Sequence, residues 1–333
     1  MTTKIAINGF GRIGRCVLRA LIENGFDGIE VVAINDLTDA ENLLHLLKYD
    51  SVHGRLTADA ELKDGSLHVA GQTIRMTAER DPAKLPWRDV DVAYECTGFF
   101  TTRDAAAKHL ENGSKRVLIS APGKGVDRTV VYGVNHQELA AEDVIVSNAS
   151  CTTNCLAPVA KVLDDTFGIE TGYMTTIHAY TGDQPTHDSP HRDPYRGRAA
   201  ALSMVPTSTG AAAAISEVIP HLKGVLEGSA VRVPTANVSL VDLCVMPKKP
   251  ATAEAVNAAM QEASNGALKG VLAYEPAPLV SADFNHDPHS STLAPEQTRV
   301  TDGGMIRVVS WYDNEWGFSN RMNDTARAIA ALI

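Results

Sequence analysis

Two stretches of the 333-residue chain combine residue types and spacings that could do chemistry. The first is SNASCTTNC at 147–155, which puts Cys151 just after a strand-like run and at the start of a long helical pattern. A thiol there is activated by the helix dipole and by backbone N–H groups that have no intrahelical partner. Thr152, Thr153 and Asn154 predict a polar rather than a packed first turn. Cys155 lies four residues on, one turn deeper, and reads as structural. That spacing, with no second cysteine pair, fits neither a zinc site nor a redox dithiol, so no metal is expected. A thiol nucleophile needs a base. Most of the eleven histidines lie in polar stretches and read as solvated. His178 differs, because it ends a threonine-rich apolar strand, MTTIHAY, and it reads either as that base or as a satisfied strand histidine.

The second stretch is NGFGRIGR at 8–15, with Gly9, Gly11 and Gly14 in G-x-G-x-x-G spacing. It follows a strand-like run (4–8), opens a helical pattern (12–24), and precedes a second strand (30–35) ending at the acid Asp36. That context is what a dinucleotide site requires. Gly9 permits the tight turn, Gly11 lets backbone approach a pyrophosphate, and Gly14 lets helix and strand pack closely. The helix start offers N–H groups to phosphate. Asp36 would accept from ribose hydroxyls and repel a 2′-phosphate, which predicts NAD over NADP. Its other reading is a cap for the helix that follows.

These residues need elements to position them. Strands at 4–8, 30–35, 90–98, 115–122 and 144–148 alternate with helices at 12–24, 40–49 and 103–113. Such alternation predicts α/β architecture with a doubly wound parallel Rossmann sheet. After about residue 150 the pattern changes. A helix beginning at 151 is followed by Thr- and Val-rich strands at 172–180, 229–234, 238–246 and 305–313, with helices at 251–264 and at the C-terminus. This predicts a second, α+β domain with a mixed or antiparallel sheet. The segment 181–198, with three prolines and no period, reads as a long loop, either mobile or pinned by a ligand or a neighbouring subunit.

Composition sets limits. The chain carries 30 Lys+Arg against 40 Asp+Glu, a formal net charge of −10, which disfavours broad nucleic-acid binding. The N-terminus has no signal-peptide pattern, and the longest charge-free stretches, 144–160 and 199–216, are interrupted by Ser, Thr, Asn and Pro. No membrane partner and a cytoplasmic location are expected. The five cysteines are too few and odd in number for a disulfide framework. Cys16, Cys96 and Cys244, each inside an apolar run, are expected as core fillers.

INGFGRIGR, Asn35-Asp36, SNASCTTNC, TTIHAYTGDQ, PTSTGAA (206–212), RVPT (232–235) and WYDNEWG (311–317) occur in an order and spacing that resembles the phosphorylating glyceraldehyde-3-phosphate dehydrogenases over essentially the whole chain. The resemblance implies an NAD-binding Rossmann domain at 1–150, with helix 316–333 packing back onto it, and a catalytic domain at 151–315. It implies that Cys151 is the nucleophile and His178 its base, acting as a thiolate–imidazolium pair. Thr181 and Arg232 would hold the substrate phosphate. Ser150, Thr152, Thr209 and Gly210 would hold the attacking phosphate, with Arg196 nearby. Toward NAD it adds Arg12, Ile13, Arg80, Thr97, Ser120 and Asn314. Leu37 and Pro190 resemble the NAD-selective branch. The implied partners are glyceraldehyde 3-phosphate and inorganic phosphate, in a homotetramer. The alternatives are an erythrose-4-phosphate dehydrogenase on the same fold or a non-catalytic NAD-binding thiol sensor.

Overall fold

A computed structural model describes residues 2–333. The chain divides into two compact units, Met1–Ser150 with Ser319–Ile333, and Cys151–Phe318.

The first unit is built on a nine-stranded sheet. From one edge its strands run Arg128–Thr129, Ile145–Ser147, Arg116–Ile119, Val92–Glu95, Thr3–Asn8, Ile29–Asn35, Gln72–Thr77, Ser66–Val69 and Ala60–Lys63. The first seven are mutually parallel, and Val, Ile, Leu and Ala fill the centres of the five from Ile145–Ser147 to Ile29–Asn35, as a sheet covered on both faces demands. The last two add an antiparallel edge that the sequence pattern did not single out. Thr3–Asn8 lies between Ile29–Asn35 and Val92–Glu95, so chain order reverses across it. Ligands of doubly wound sheets bind at such a crevice, beyond the strand C-termini. Two expectations change here. The helix expected at 103–113 is two short turns, Arg103–Ala106 and Lys108–Glu111. His109, read as solvated, is fully buried between Glu95 and Trp87.

Residues 319–333 complete this unit as part of the helix Trp316–Ala330. Thr325 donates to Asn148 Oδ1 at 2.8 Å, and Tyr94 Oη donates to Asn323 Oδ1 at 3.2 Å.

The second unit carries an eight-stranded mixed sheet. Ile169–Ala179 pairs in parallel with Leu226–Val233 and antiparallel with Ser239–Pro247, which pairs in turn with Ile306–Tyr312. Met174, Thr176 and His178 alternate inward on Ile169–Ala179, under the helix Cys151–Phe167. Thr152, Thr153 and Asn154 depart from expectation: the first turn of that helix is polar but packed, because all three side chains are buried. Cys96 and Cys244 are only half-buried, each at the end or face of a strand rather than in the core; Cys16 is fully buried. No helix among the described residues is long and apolar enough to cross a membrane.

Candidate active site

The turn before Cys151 is tight. Ala149 holds φ +56°, a left-handed conformation that costs a non-glycine residue roughly 1–2 kcal/mol. The Ala149 N–H donates to Ser147 Oγ at 3.1 Å, and Ser147 donates to Ala121 O at 2.7 Å. This reversal starts the helix at Cys151 itself, so the Cys151 and Thr152 N–H groups face the thiol.

His178 Nε2 lies 3.6 Å from Cys151 Sγ. The other ring nitrogen, Nδ1, donates to the Ala179 carbonyl at 2.7 Å. A carbonyl can only accept, so Nδ1 carries a proton and Nε2 is the nitrogen that faces the sulfur. Burial pushes the Cys151 thiol up, against the pull of Arg232 and of the Thr152 hydroxyl and N–H. Burial, reinforced by Arg232, pushes His178 down to about 3. Each group is therefore hard to ionise alone. Both shifts favour the neutral thiol–imidazole pair, and a proton passed from sulfur to Nε2 would leave the net charge of the pair unchanged.

Tyr312 organises the floor of this site and was not singled out from sequence. Its hydroxyl lies 2.9 Å from both Thr152 Oγ1 and Thr176 Oγ1, and its ring meets His178 edge-on. The signal was its place within WYDNEWG, at the buried end of the strand Ile306–Tyr312. Thr152 is thus placed by the core, with its hydroxyl shared between Tyr312 and the thiol.

Strand register brings the cation. His178 and Arg232 are direct partners in the parallel ladder. Arg232 Nη1 donates to Ala179 O at 3.1 Å and to Thr181 Oγ1 at 3.3 Å, while its buried Nε has no partner among the described residues. Thr181 and Arg232 are therefore together, with donor capacity left for an anion. Thr209 and Gly210 form the turn that opens the helix Ala211–Val218, with Gly210 at the cap and the Thr209 hydroxyl accepting from Ala211 N at 3.1 Å. Arg196 is committed to Asp183 of its own loop at 2.9 Å and to Thr207 Oγ1 at 3.0 Å and Ser208 O at 3.2 Å on the strand Val205–Ser208. Asp193 and the Arg198–Asp188 pair tie the same loop, so 181–198 is pinned by its own residues as well. Ser150 is half-buried at the turn before Cys151.

The Gly-rich turn behaves as its spacing requires. Gly9 takes φ +91°, and a Cβ there would lie 2.7 Å from Cys96 and Thr97 backbone; a Cβ on Gly14 would lie 2.2 Å from Gly9 O. A Cβ on Gly11 would meet nothing within 4 Å, and the helix Arg12–Glu23 has no side-chain cap and no acid in its first turn. A cavity of about 450 Å³ opens beside them, lined in part by Asn8, Gly9, Gly11, Asp36, Arg80 and Thr97. Asp36 accepts from Phe10 N at 2.7 Å and Thr38 N at 2.9 Å, which ties strand two to the Gly-rich turn. It is not the helix cap; Asp39 is. These features fit a dinucleotide, with an uncapped helix start for phosphate and a carboxylate with lone pairs left for ribose.

Arg12 is ion-paired to Asp50 at 2.6 Å. Burial works against the Asp50 charge, but the His53 and Val52 N–H groups and Arg12 outweigh it and bring its pKa to about 2. Ile13 is half-buried on the first helical turn, and Ser120 is half-buried just past Arg116–Ile119. Asn314 is buried in the second unit, where its Oδ1 accepts from Ser239 Oγ at 2.8 Å.

Residues 3–103 match the family model described as glyceraldehyde 3-phosphate dehydrogenase, NAD binding domain, and residues 150–314 match its C-terminal domain. The chain is 61% identical over its full length to a glyceraldehyde-3-phosphate dehydrogenase of Cereibacter sphaeroides, all of which is covered. It is 58% identical to that of Xanthobacter flavus, again over the whole of both chains, and 57% identical to glyceraldehyde-3-phosphate dehydrogenase 1 of Bacillus subtilis (strain 168), over 99% of each. The chain belongs to the glyceraldehyde-3-phosphate dehydrogenase family.

Proposed function

We propose that Cys151 and His178 carry the family's reaction in this chain, the NAD-dependent oxidation of glyceraldehyde 3-phosphate with uptake of inorganic phosphate. The observation that carries this reading is the 3.6 Å contact between Cys151 Sγ and His178 Nε2, with Nδ1 fixed on Ala179 O. Cys151 gives its proton to Nε2 and its sulfur adds to the aldehyde carbon. The oxygen of that carbon takes the proton back, which leaves a thiohemiacetal and a neutral imidazole. Nε2 then removes the hydroxyl proton as the carbon is oxidised to a thioester. NAD, held by the Gly9–Gly14 turn, Asp36, Thr97 and neighbouring groups, supplies the two-electron acceptor. Phosphate oxygen attacks the thioester carbonyl, sulfur leaves as thiolate and recovers the proton from Nε2, and the product is an acyl phosphate.

Arg232 and Thr181 would hold the substrate phosphate, for which the unpartnered Arg232 Nε is suited. Ser150, Thr152, Thr209 and Gly210 would receive the attacking phosphate, with Arg196 shaping the loop beside them. Arg12, Ile13, Arg80, Ser120 and Asn314 would serve the cofactor. An erythrose-4-phosphate dehydrogenase and a thiol sensor are not favoured, since the full-length relatives carry the triose-phosphate name. We further propose a homotetramer in the cytoplasm. Exposed Tyr195, Leu202 and Met204, on or just after the 181–198 loop, support an interface there, and five free cysteines suit a reducing compartment.

The deciding experiment is NADH formation from glyceraldehyde 3-phosphate with and without phosphate or arsenate. Strict dependence on the oxyanion is expected; phosphate-independent turnover, or faster turnover of erythrose 4-phosphate, overturns the reading. Light scattering should return four times the 35.6 kDa chain mass.

A further inference from the structure

Beneath the cofactor cleft lies a buried carboxylate that the reaction does not use. Glu95 ends the strand Val92–Glu95 and is 1% exposed. Its Oε2 accepts from Asn8 Nδ2 at 2.7 Å and from His109 Nε2 at 2.9 Å. Its Oε1 accepts from Thr97 N at 2.8 Å and from the Thr97 hydroxyl. Four donors use the acceptor capacity of a carboxylate in full, the condition under which a buried charge is tolerated.

The donors are not neutral scaffolding. Asn8 is the residue before Gly9, and Thr97 follows the strand on the opposite side of the turn. Both line the cofactor cavity. The network then crosses the sheet. Asn35 donates to Asn8 Oδ1 at 2.8 Å and to Glu79 O at 2.8 Å, and its own oxygen accepts from Thr77 Oγ1 at 2.9 Å and Glu79 N at 2.8 Å. Asn35, Glu79 and Arg80 line the same cavity. One belt of hydrogen bonds thus runs from His109 through Glu95 and Asn8 to the segment that presents Arg80. His109 is held in turn by stacking on buried Trp87, with ring centroids 5.6 Å apart.

We infer that Glu95, anchored by His109, is a positioning residue for the cofactor cleft, fixing the Asn8–Gly9 turn and the Thr97 wall without touching the cofactor. The inference rests on NAD occupying this cleft. The backbone at Gly9 has no room to drift one way, because Cys96 and Thr97 already crowd it. Glu95 prevents drift the other way, since it grips both sides of the same gap. Replacing its carboxylate by an amide sets N–H groups against the N–H of Asn8 or Thr97. A mismatched buried hydrogen bond costs roughly 1–3 kcal/mol, and here that cost falls on the geometry of the turn.

The test uses the full chain and three readouts: Kd for NAD, kcat at saturating NAD, and the rate at which iodoacetamide alkylates Cys151 without NAD. For Glu95→Gln, Kd should rise roughly tenfold, for about 1.4 kcal/mol, while the other two stay within about twofold. Glu95→Ala should weaken NAD further than Glu95→Gln, because glutamine keeps one acceptor. A Kd within twofold of wild type in folded Glu95→Gln overturns the inference. So does a parallel fall in alkylation and kcat, which would mark a general structural role. Should Glu95→Gln not fold, His109→Leu decides: a roughly threefold rise in Kd with kcat retained supports the anchor, and an unchanged Kd, or failure of both variants to fold, overturns it. If wild type itself does not bind NAD, the assignment of the cleft fails rather than the role of Glu95.

Discussion

A thiol and an imidazole 3.6 Å apart are useful only if neither ionises idly. Burial penalises both charged forms, so the proposed reaction requires the pair to act as a unit, passing a proton between its members. Cys151→Ser should lower kcat by roughly 10³-fold or more, since a hydroxyl is a far weaker nucleophile, with NAD affinity intact by calorimetry; full turnover in that variant would refute the nucleophile. His178→Asn should cost about 10²- to 10⁴-fold in kcat, the range for a general base, and a loss below tenfold would remove it from that role. Asp50 supplies a pH prediction. Its pKa is lowered to about 2 from 3.8, so its stabilising effect is present above pH 3.8 and is lost as pH falls toward 2. Thermal melts should show wild type losing stability over that window faster than Asp50→Asn, and equal acid slopes would refute the assignment. Cys151 and the glycines were legible as sequence because their meaning is local. Read from its own surroundings, His178 was legible only as a suspicion that the family resemblance strengthened, Tyr312 only as a member of WYDNEWG, and Glu95 not at all, because each gains its role from partners distant in the chain.

Elements give those residues their direction. The helix Arg12–Glu23 begins without a cap, which leaves its first N–H groups for a ligand. The three glycines around it divide their work, and variants should separate it. Gly14→Ala forces a Cβ within 2.2 Å of Gly9 O and should cost about 1–3 kcal/mol in denaturant unfolding, as overpacking does. Gly11→Ala places its methyl in open space. It should leave the melting temperature nearly unchanged while weakening NAD several-fold, and an unaltered Kd would mean that no ligand group comes close to Gly11. Strand and helix positions followed from periodicity through most of the chain. The break at Ala107 and the antiparallel edge at 60–69 did not, because short turns and edge strands carry weak periodic signals.

At the scale of the whole molecule, the first unit is not a continuous segment. It needs Ser319–Ile333 to cover Asn148 and Tyr94. A chain truncated after Phe318 should therefore lose NAD binding as well as stability, measured by calorimetry and thermal melting; retained NAD affinity would show that the segment is dispensable. By itself the sequence determined the βα fingerprint with its acid, the thiol at a helix start, the change from parallel to mixed sheet, and the family. Those properties depend on neighbours within a few turns of chain, or on motif order. Only the tertiary structure decided that Tyr312 joins Thr152 to Thr176 beneath the thiol, that Arg232 stands opposite His178 in the ladder, that Arg12 is paired with Asp50, and that Glu95 is saturated by donors from three segments. The reason is physical. Strand register and desolvation are set by long-range burial, and no local propensity encodes which distant side chain will share a buried proton.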